Sequence, residues 1–156
     1  MAVSSDITVT YATYLDMVQA TSEERIERIR RGLLPALVTQ LAHDLRIPDH
    51  NLALYLGLNR ASLRRRIADD ERLSAQESEG PLALASLAGS VVLASRQASV
   101  ERAIVTDPLG WLGRWLRTPA SGPGRGLAPI QYLDVVEGRA VVATWLADVL
   151  RPGFRP

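Results

Sequence analysis

The chain has no cysteine, no lysine, a single phenylalanine, and no apolar run that nears the length of a bilayer crossing. Lacking cysteine, it has no disulfides, thiolate nucleophiles or cysteine-ligated zinc, and a reducing compartment is the simpler expectation. Its N-terminus, MAVSSDITVTYATYLD, has neither a basic leader nor an unbroken apolar core, so a soluble cytoplasmic protein without membrane association is expected. Histidine is nearly absent too. His43 and His50 stand seven apart with no carboxylate at ligand spacing, which argues against a metal site. No serine lies beside a usable histidine, so nucleophilic catalysis has no support. The stretch SGPGRG lacks the lysine and the preceding strand of a phosphate-binding P-loop. Nothing here calls for a cofactor or for enzymatic activity.

What the chain does have is arginine: all 18 basic residues are of this type, against 17 acids, for a net charge of +1. A balance so near zero gives no global field to hold a polyanion, so any nucleic-acid contact must be local. Arginine is the side chain best suited to paired hydrogen bonds on phosphate or guanine. One local concentration stands out in GLNRASLRRRIADDERLSAQESE, where Arg60, Arg64, Arg65 and Arg66 occur with no acid among them before Asp69, Asp70 and Glu71 follow. The 156 residues amount to about one domain, with room for a lobe or tail beside the core.

The patterning predicts helices almost throughout, an all-α fold. SEERIERIRR opens on a Ser22 cap and closes on Gly32, and LLPALVTQLAHDL sets Leu34, Leu37, Val38, Leu41 and Leu45 on one stripe. A third helix begins with Pro48 and Asp49 and ends near Gly57. Asn59 caps a fourth through about Ala68, and Ser74 with Glu77 forms a capping box for a fifth, which Gly80 and Pro81 kink or restart before LALASLAGSVVLA. That apolar run either forms the central core or buries itself against a second copy. Asp107 and Pro108 start another helix carrying Trp111 and Trp115 on one face, as core residues or as partner contacts. After the Gly/Pro-rich loop TPASGPGRGLAP, two short helices are expected at about Pro129 to Val136 and Arg139 to Leu150, separated by Glu137 and Gly138. The one strand-like stretch is DITVTY.

Taken from Asp49, the sequence fits a helix-turn-helix. Leu52, Leu56 and Leu58 are its buried contacts, Ala53 the small residue at the crossing, Gly57 the turn, and Leu63 and Ile67 the inward anchors of the second helix. With Asn59 at the cap, the outward side chains are Arg60, Ala61, Ser62, Arg64 and Arg65, near the N-terminal part of a helix that would enter a major groove. Arg66 occupies a position that is usually apolar in such motifs. The bland alternative is a basic helix start offset by acids in the next turn.

Residues 25–79, through GLLPALVTQLAHDLRI, ALYLGLNRASLRRRI and ERLSAQESE, resemble the helix-turn-helix half of the Xre/MbcA/ParS family of type II antitoxins. Residues 107–156 resemble that family's small helical toxin-binding domain in WLRTP, the Gly-rich loop, the Pro-x-x-Tyr-Leu-Asp segment and the last helix before a Gly-Phe. Residues 1–21 lie outside the resemblance and are taken as an N-terminal arm whose order is left open. Residues 22–98 then form the DNA-binding and dimerisation region, and residues 99–156 the toxin-binding domain. In the family the long helix after the helix-turn-helix is continuous, whereas here Gly80-Pro81 falls within it.

The resemblance implies a cognate toxin as partner, commonly a RES-domain enzyme that destroys NAD⁺, with the antitoxin's C-terminal segment blocking the active site and its helix-turn-helix binding operator DNA. Carried over, the blocking segment is Arg151, Pro152, Gly153 and Phe154, to which Arg155 adds a second guanidinium. The alternative for RPGFRP is a frayed terminus. Operators with two half-sites call for a homodimer within the hetero-oligomer. A different class of reading stays open: a stand-alone helix-turn-helix regulator whose C-terminal lobe senses a small molecule. So does an antitoxin that has lost DNA binding, because Asp69, Asp70 and Glu71 would repel phosphate.

Overall fold

The computed structural model describes residues 2–97, 99–119 and 126–153. Among them every regular element is a helix: α1 Ala2–Gln19, α2 Ser22–Arg31, α3 Ala36–Leu45, α4 Asp49–Tyr55, α5 Arg60–Ala68, α6 Ala75–Ala94, α7 Arg102–Thr106, α8 Pro108–Arg117, a 3₁₀ turn Pro129–Tyr132, and α9 Val136–Leu150. The fold is all-α.

The organising element is α6. Its second half is apolar on every side, and a helix of that kind is stable only when surrounded. Leu82, Leu84, Ala85, Leu87, Ala88, Val91 and Val92 are all buried, against α1, α2, α3, α8 and α9. The run LALASLAGSVVLA is therefore the centre of this molecule's own core. Pro81 does not restart the helix. A proline there forgoes one backbone hydrogen bond, but it and Gly80 are both buried, and packing on all sides keeps the helix running. Gly80 is a contact residue: a Cβ at that position would stand 3.2 Å from the Leu56 carbonyl oxygen.

The segment expected as an N-terminal arm is instead the helix that packs most extensively on α6. Tyr14 is fully buried, Tyr11, Leu15 and Met17 pack against the core, and the Tyr14 hydroxyl donates to the Asp44 carboxylate on α3 at 2.6 Å. The two backbones press together at Gly89, where a Cβ would come 2.3 Å from the Tyr14 carbonyl oxygen. DITVTY lies in α1 and is not a strand, since its β-branched residues are outweighed by the tertiary surface at Tyr11, Tyr14, Leu15 and Val18.

Other boundaries move for local reasons. Thr21, not Ser22, caps α2, in a reciprocal capping box with Glu24. Leu34, expected on the buried stripe of α3, precedes that helix and is 53% exposed, while Val38, Leu41 and Leu45 are buried. Glu137 and Gly138 do not separate two helices: both lie in α9, and Gly138 lets the Tyr132 carbonyl approach to 1.9 Å from where a Cβ would be. The segment before α9 is reduced to the 3₁₀ turn. Asp107 caps α8 through the Gly110 N–H. Trp111 and Trp115 stack with centroids 6.1 Å apart and are buried, so their role is in the core.

One contiguous hydrophobic cluster takes in α1, α3, α4, α5, α6, α8, the 3₁₀ turn and α9. It runs unbroken across the 98/99 boundary that the sequence suggested, and Gly57 in the α4–α5 turn lies against Asp134 of the C-terminal region.

The Arg60–Ala68 helix and the carboxy-terminal segment as candidate functional sites

The α4–α5 unit is built as the motif requires. Leu52, Ala53, Leu56 and Leu58 are buried, and Gly57 has φ +72°, a conformation an L side chain rarely adopts. Asn59 caps α5, its side-chain oxygen accepting the Ser62 N–H at 2.9 Å. Leu63 is the only buried residue of α5.

Ile67 is not the second anchor. It is 51% exposed, and the inward side one turn beyond Leu63 belongs to Arg66. The Arg66 Nε lies 2.8 Å from Glu77 on α6, its terminal nitrogen donates to the Arg72 carbonyl at 2.9 Å, and Glu71 is 3.6 Å away. An arginine that sets its charge against a carboxylate and donates a hydrogen bond to a carbonyl competes successfully with an isoleucine for that side, because α5 has only one apolar anchor to set its roll, although the Arg66 Nε–H itself is not aimed for a hydrogen bond. Ile67 lies instead along the walls of two surface clefts. One, about 580 Å³, runs between Leu34, His43 and Glu71; the other, about 190 Å³, also takes in Thr39, His50, Arg60 and Arg64.

The outward set is largely as expected. Arg60, Ala61, Arg64 and Arg65 are exposed, and among the described residues none of the three arginines has an ion-pair or hydrogen-bond partner. Ser62 departs from the pattern. It is half-buried, and its hydroxyl donates to Glu77 at 3.3 Å, so it faces α6. Thr39 and His50 line the smaller cleft beside Arg60 and Arg64, a neighbourhood the sequence did not bring together.

Glu77 is more than the capping residue its spacing implies. It also holds α5, and burial alone would raise its carboxyl. Hydrogen bonds from the Ser74 N–H and hydroxyl, the Arg66 charge and the Ser62 hydroxyl more than offset that, holding it below the usual carboxylate range. On α1, burial pushes the Tyr14 phenol well above its ordinary value, and the Asp44 hydrogen bond and charge add to this.

At the other end, α9 stops at Leu150. Arg151, Pro152 and Gly153 are exposed, and the Arg151 guanidinium pairs with Asp148 one turn back. Gly153 has φ +81°. Phe154 and Arg155, the remaining members of the expected blocking segment, lie outside the described residues.

Residues 24–79 match the antitoxin Xre-like helix-turn-helix domain. Over 144 residues the chain is 31% identical to the Prs ADP-ribosylating antitoxin of Sphingobium sp. (strain YBL2), covering 90% of this chain and 87% of that relative. The chain belongs to the Xre-like antitoxin family. The second match extends well beyond the helix-turn-helix, so the family likeness takes in the packed body of the antitoxin as well as its α4–α5 unit. Among the described residues of the antitoxin, no helix is long and apolar enough to cross a membrane.

Proposed function

We propose that this antitoxin neutralises a NAD⁺-consuming toxin of the RES type by laying residues 151–155 into its active-site cleft, and represses its own promoter through α5. The observation that carries the DNA half is the trio of exposed guanidinium groups at Arg60, Arg64 and Arg65, without partners among the described residues, on a capped helix anchored by Leu63. Unpaired arginines near the front of such a helix are free to take guanine O6 and N7 or phosphate oxygens without first breaking an internal ion pair. Asn59 and Ala61 flank this face. Two half-sites about one helical turn apart require two copies, so a homodimer within the toxin complex is part of the proposal.

The toxin half rests on the family and on the chemistry of the tail. The relative's name joins its antitoxin function to ADP-ribosylation, whose donor is NAD⁺. A pocket that holds a dinucleotide presents groups for phosphates and flat rings, and a segment with an aromatic ring between two arginines can occupy both kinds of subsite. Arg151 needs only to exchange an exposed partner, Asp148, to take part. The antitoxin itself performs no chemistry in this reading and needs no cofactor.

The test is to co-purify the antitoxin with the untagged product of the neighbouring gene, then measure NAD⁺ consumption and ADP-ribose transfer with the full chain and with one ending at Leu150. The full chain is expected to suppress both readouts and the shortened chain neither. Equal protection by the two rejects the tail mechanism. For the DNA half, an Arg64→Ala/Arg65→Ala variant that binds the upstream duplex as tightly as the native chain rejects α5 as the recognition helix.

A further inference from the structure

We propose that Arg66 and Glu77 are positioning residues for DNA recognition, a polar clamp that fixes the roll of α5 on the body so that Arg60, Arg64 and Arg65 are presented together. This rests on the DNA-binding reading of α5. With one buried side chain, Leu63, the helix has a pivot but no second apolar point to stop it turning about its axis. A second point is needed on the inward side, and it is supplied by charge.

Glu77 is shared between two elements. One carboxylate oxygen accepts the Ser74 N–H at 2.9 Å, closing the α6 capping box, and lies 2.8 Å from the Arg66 Nε; the other accepts the Ser62 hydroxyl at 3.3 Å. Ser62 and Arg66 are one turn apart on α5, so a single carboxylate grips the helix at two successive turns. Both members of the ion pair are four-fifths buried, with side chains 21% and 20% exposed, unlike the open pairs of the surface.

The grip continues away from α5. Arg66 donates to the Arg72 carbonyl at 2.9 Å, Arg72 donates to the Gly32 carbonyl at 3.0 Å, and the Leu33 N–H donates to the Ser78 hydroxyl at 2.9 Å. The clamp is thus tied to the end of α2 and the first turn of α6. Of the Arg66 contacts, the Arg72 carbonyl takes the directed hydrogen bond, while Glu77 holds the guanidinium by charge at close range.

The test uses the full-length protein with Glu77→Gln, Arg66→Met and the double variant. Binding is measured by fluorescence anisotropy to a duplex of the chain's own upstream region and to a scrambled duplex. Glutamine also closes a capping box, so α6 keeps its start. Electrostatics alone predicts that Glu77→Gln, which removes a negative charge near the duplex, tightens both duplexes. The clamp predicts that the preference for the upstream duplex falls about tenfold in each single variant, with the double variant no worse than either.

A second readout is independent of DNA. Hydrogen exchange of the amides of residues 60–68 is expected to accelerate in Glu77→Gln while the first turn of α6 is unchanged. A native preference retained in Glu77→Gln, or unaltered α5 exchange, overturns the clamp. A wild-type chain with no preference for its upstream duplex overturns the DNA reading, and the clamp's presenting role falls with it.

Discussion

The four arginines of α5 divide by what they touch. Arg66 is committed to Glu77 and the Arg72 carbonyl, while Arg60, Arg64 and Arg65 face solvent. Substituting Arg64 by alanine is therefore expected to weaken upstream-duplex binding by about 1–3 kcal/mol if it reads a guanine, relaxing specificity at that base pair. If it meets a phosphate, the salt slope should fall by about one, and binding across a salt series separates the two. Glu77 adds a pH dependence. Its folded carboxyl sits below the ordinary glutamate value of about 4.3, so its contribution to stability is complete above that value and is lost as pH falls through the depressed one. Urea denaturation from pH 6 down to about 3 should show a stability loss that Glu77→Gln lacks, and parallel curves would refute the shift. The outward arginines were legible in the sequence, but the exchange of Ile67 for Arg66 was not. Residues three and four positions after Leu63 both lie near its face, and a lone apolar anchor does not say which of them turns inward.

At the scale of the helix, starts were readable because caps are local. Asn59, Ser74 with Glu77, and Asp107 all act as their spacing implied, and the first cap was misplaced only from Thr21 to Ser22. What the sequence obscured were residues whose role depends on a neighbour's backbone. Gly80, Pro81 and Gly138 read as interruptions because glycine and proline weaken an isolated helix, yet each sits inside a continuous one. α1 was hidden for a related reason: Tyr11, Tyr14, Leu15 and Val18 have helical spacing, but the threonines and valine around the first of them suggest a strand. Gly113 and Gly138 leave only 2.1 and 1.9 Å between a would-be Cβ and the carbonyls of Leu45 and Tyr132. Alanine at either position is expected to cost about 1–3 kcal/mol or more, because backbone must shift to admit it. Thermal denaturation followed by circular dichroism checks this, and an unchanged midpoint would contradict the close packing. Tyr14→Phe should cost about 1–3 kcal/mol through loss of the charged hydrogen bond to Asp44, measured by the same melt.

Considered whole, the antitoxin has one core shared by the helix-turn-helix and the C-terminal helices. A single cooperative melting transition is expected, and two separated transitions would refute the shared core. Removing residues 151–156 should leave that midpoint within a degree or two, since Arg151, Pro152 and Gly153 are exposed, while the proposed mechanism has it abolish neutralisation. The contact between Gly57 and Asp134 adds a geometric consequence. Because no tether separates the motif's bend from the lobe behind it, a copy seated on an operator, as proposed, would hold its far end at a set orientation to the duplex. Two copies on half-sites roughly 34–36 Å apart would then hold their captured enzymes at a spacing dictated by the pitch of the double helix.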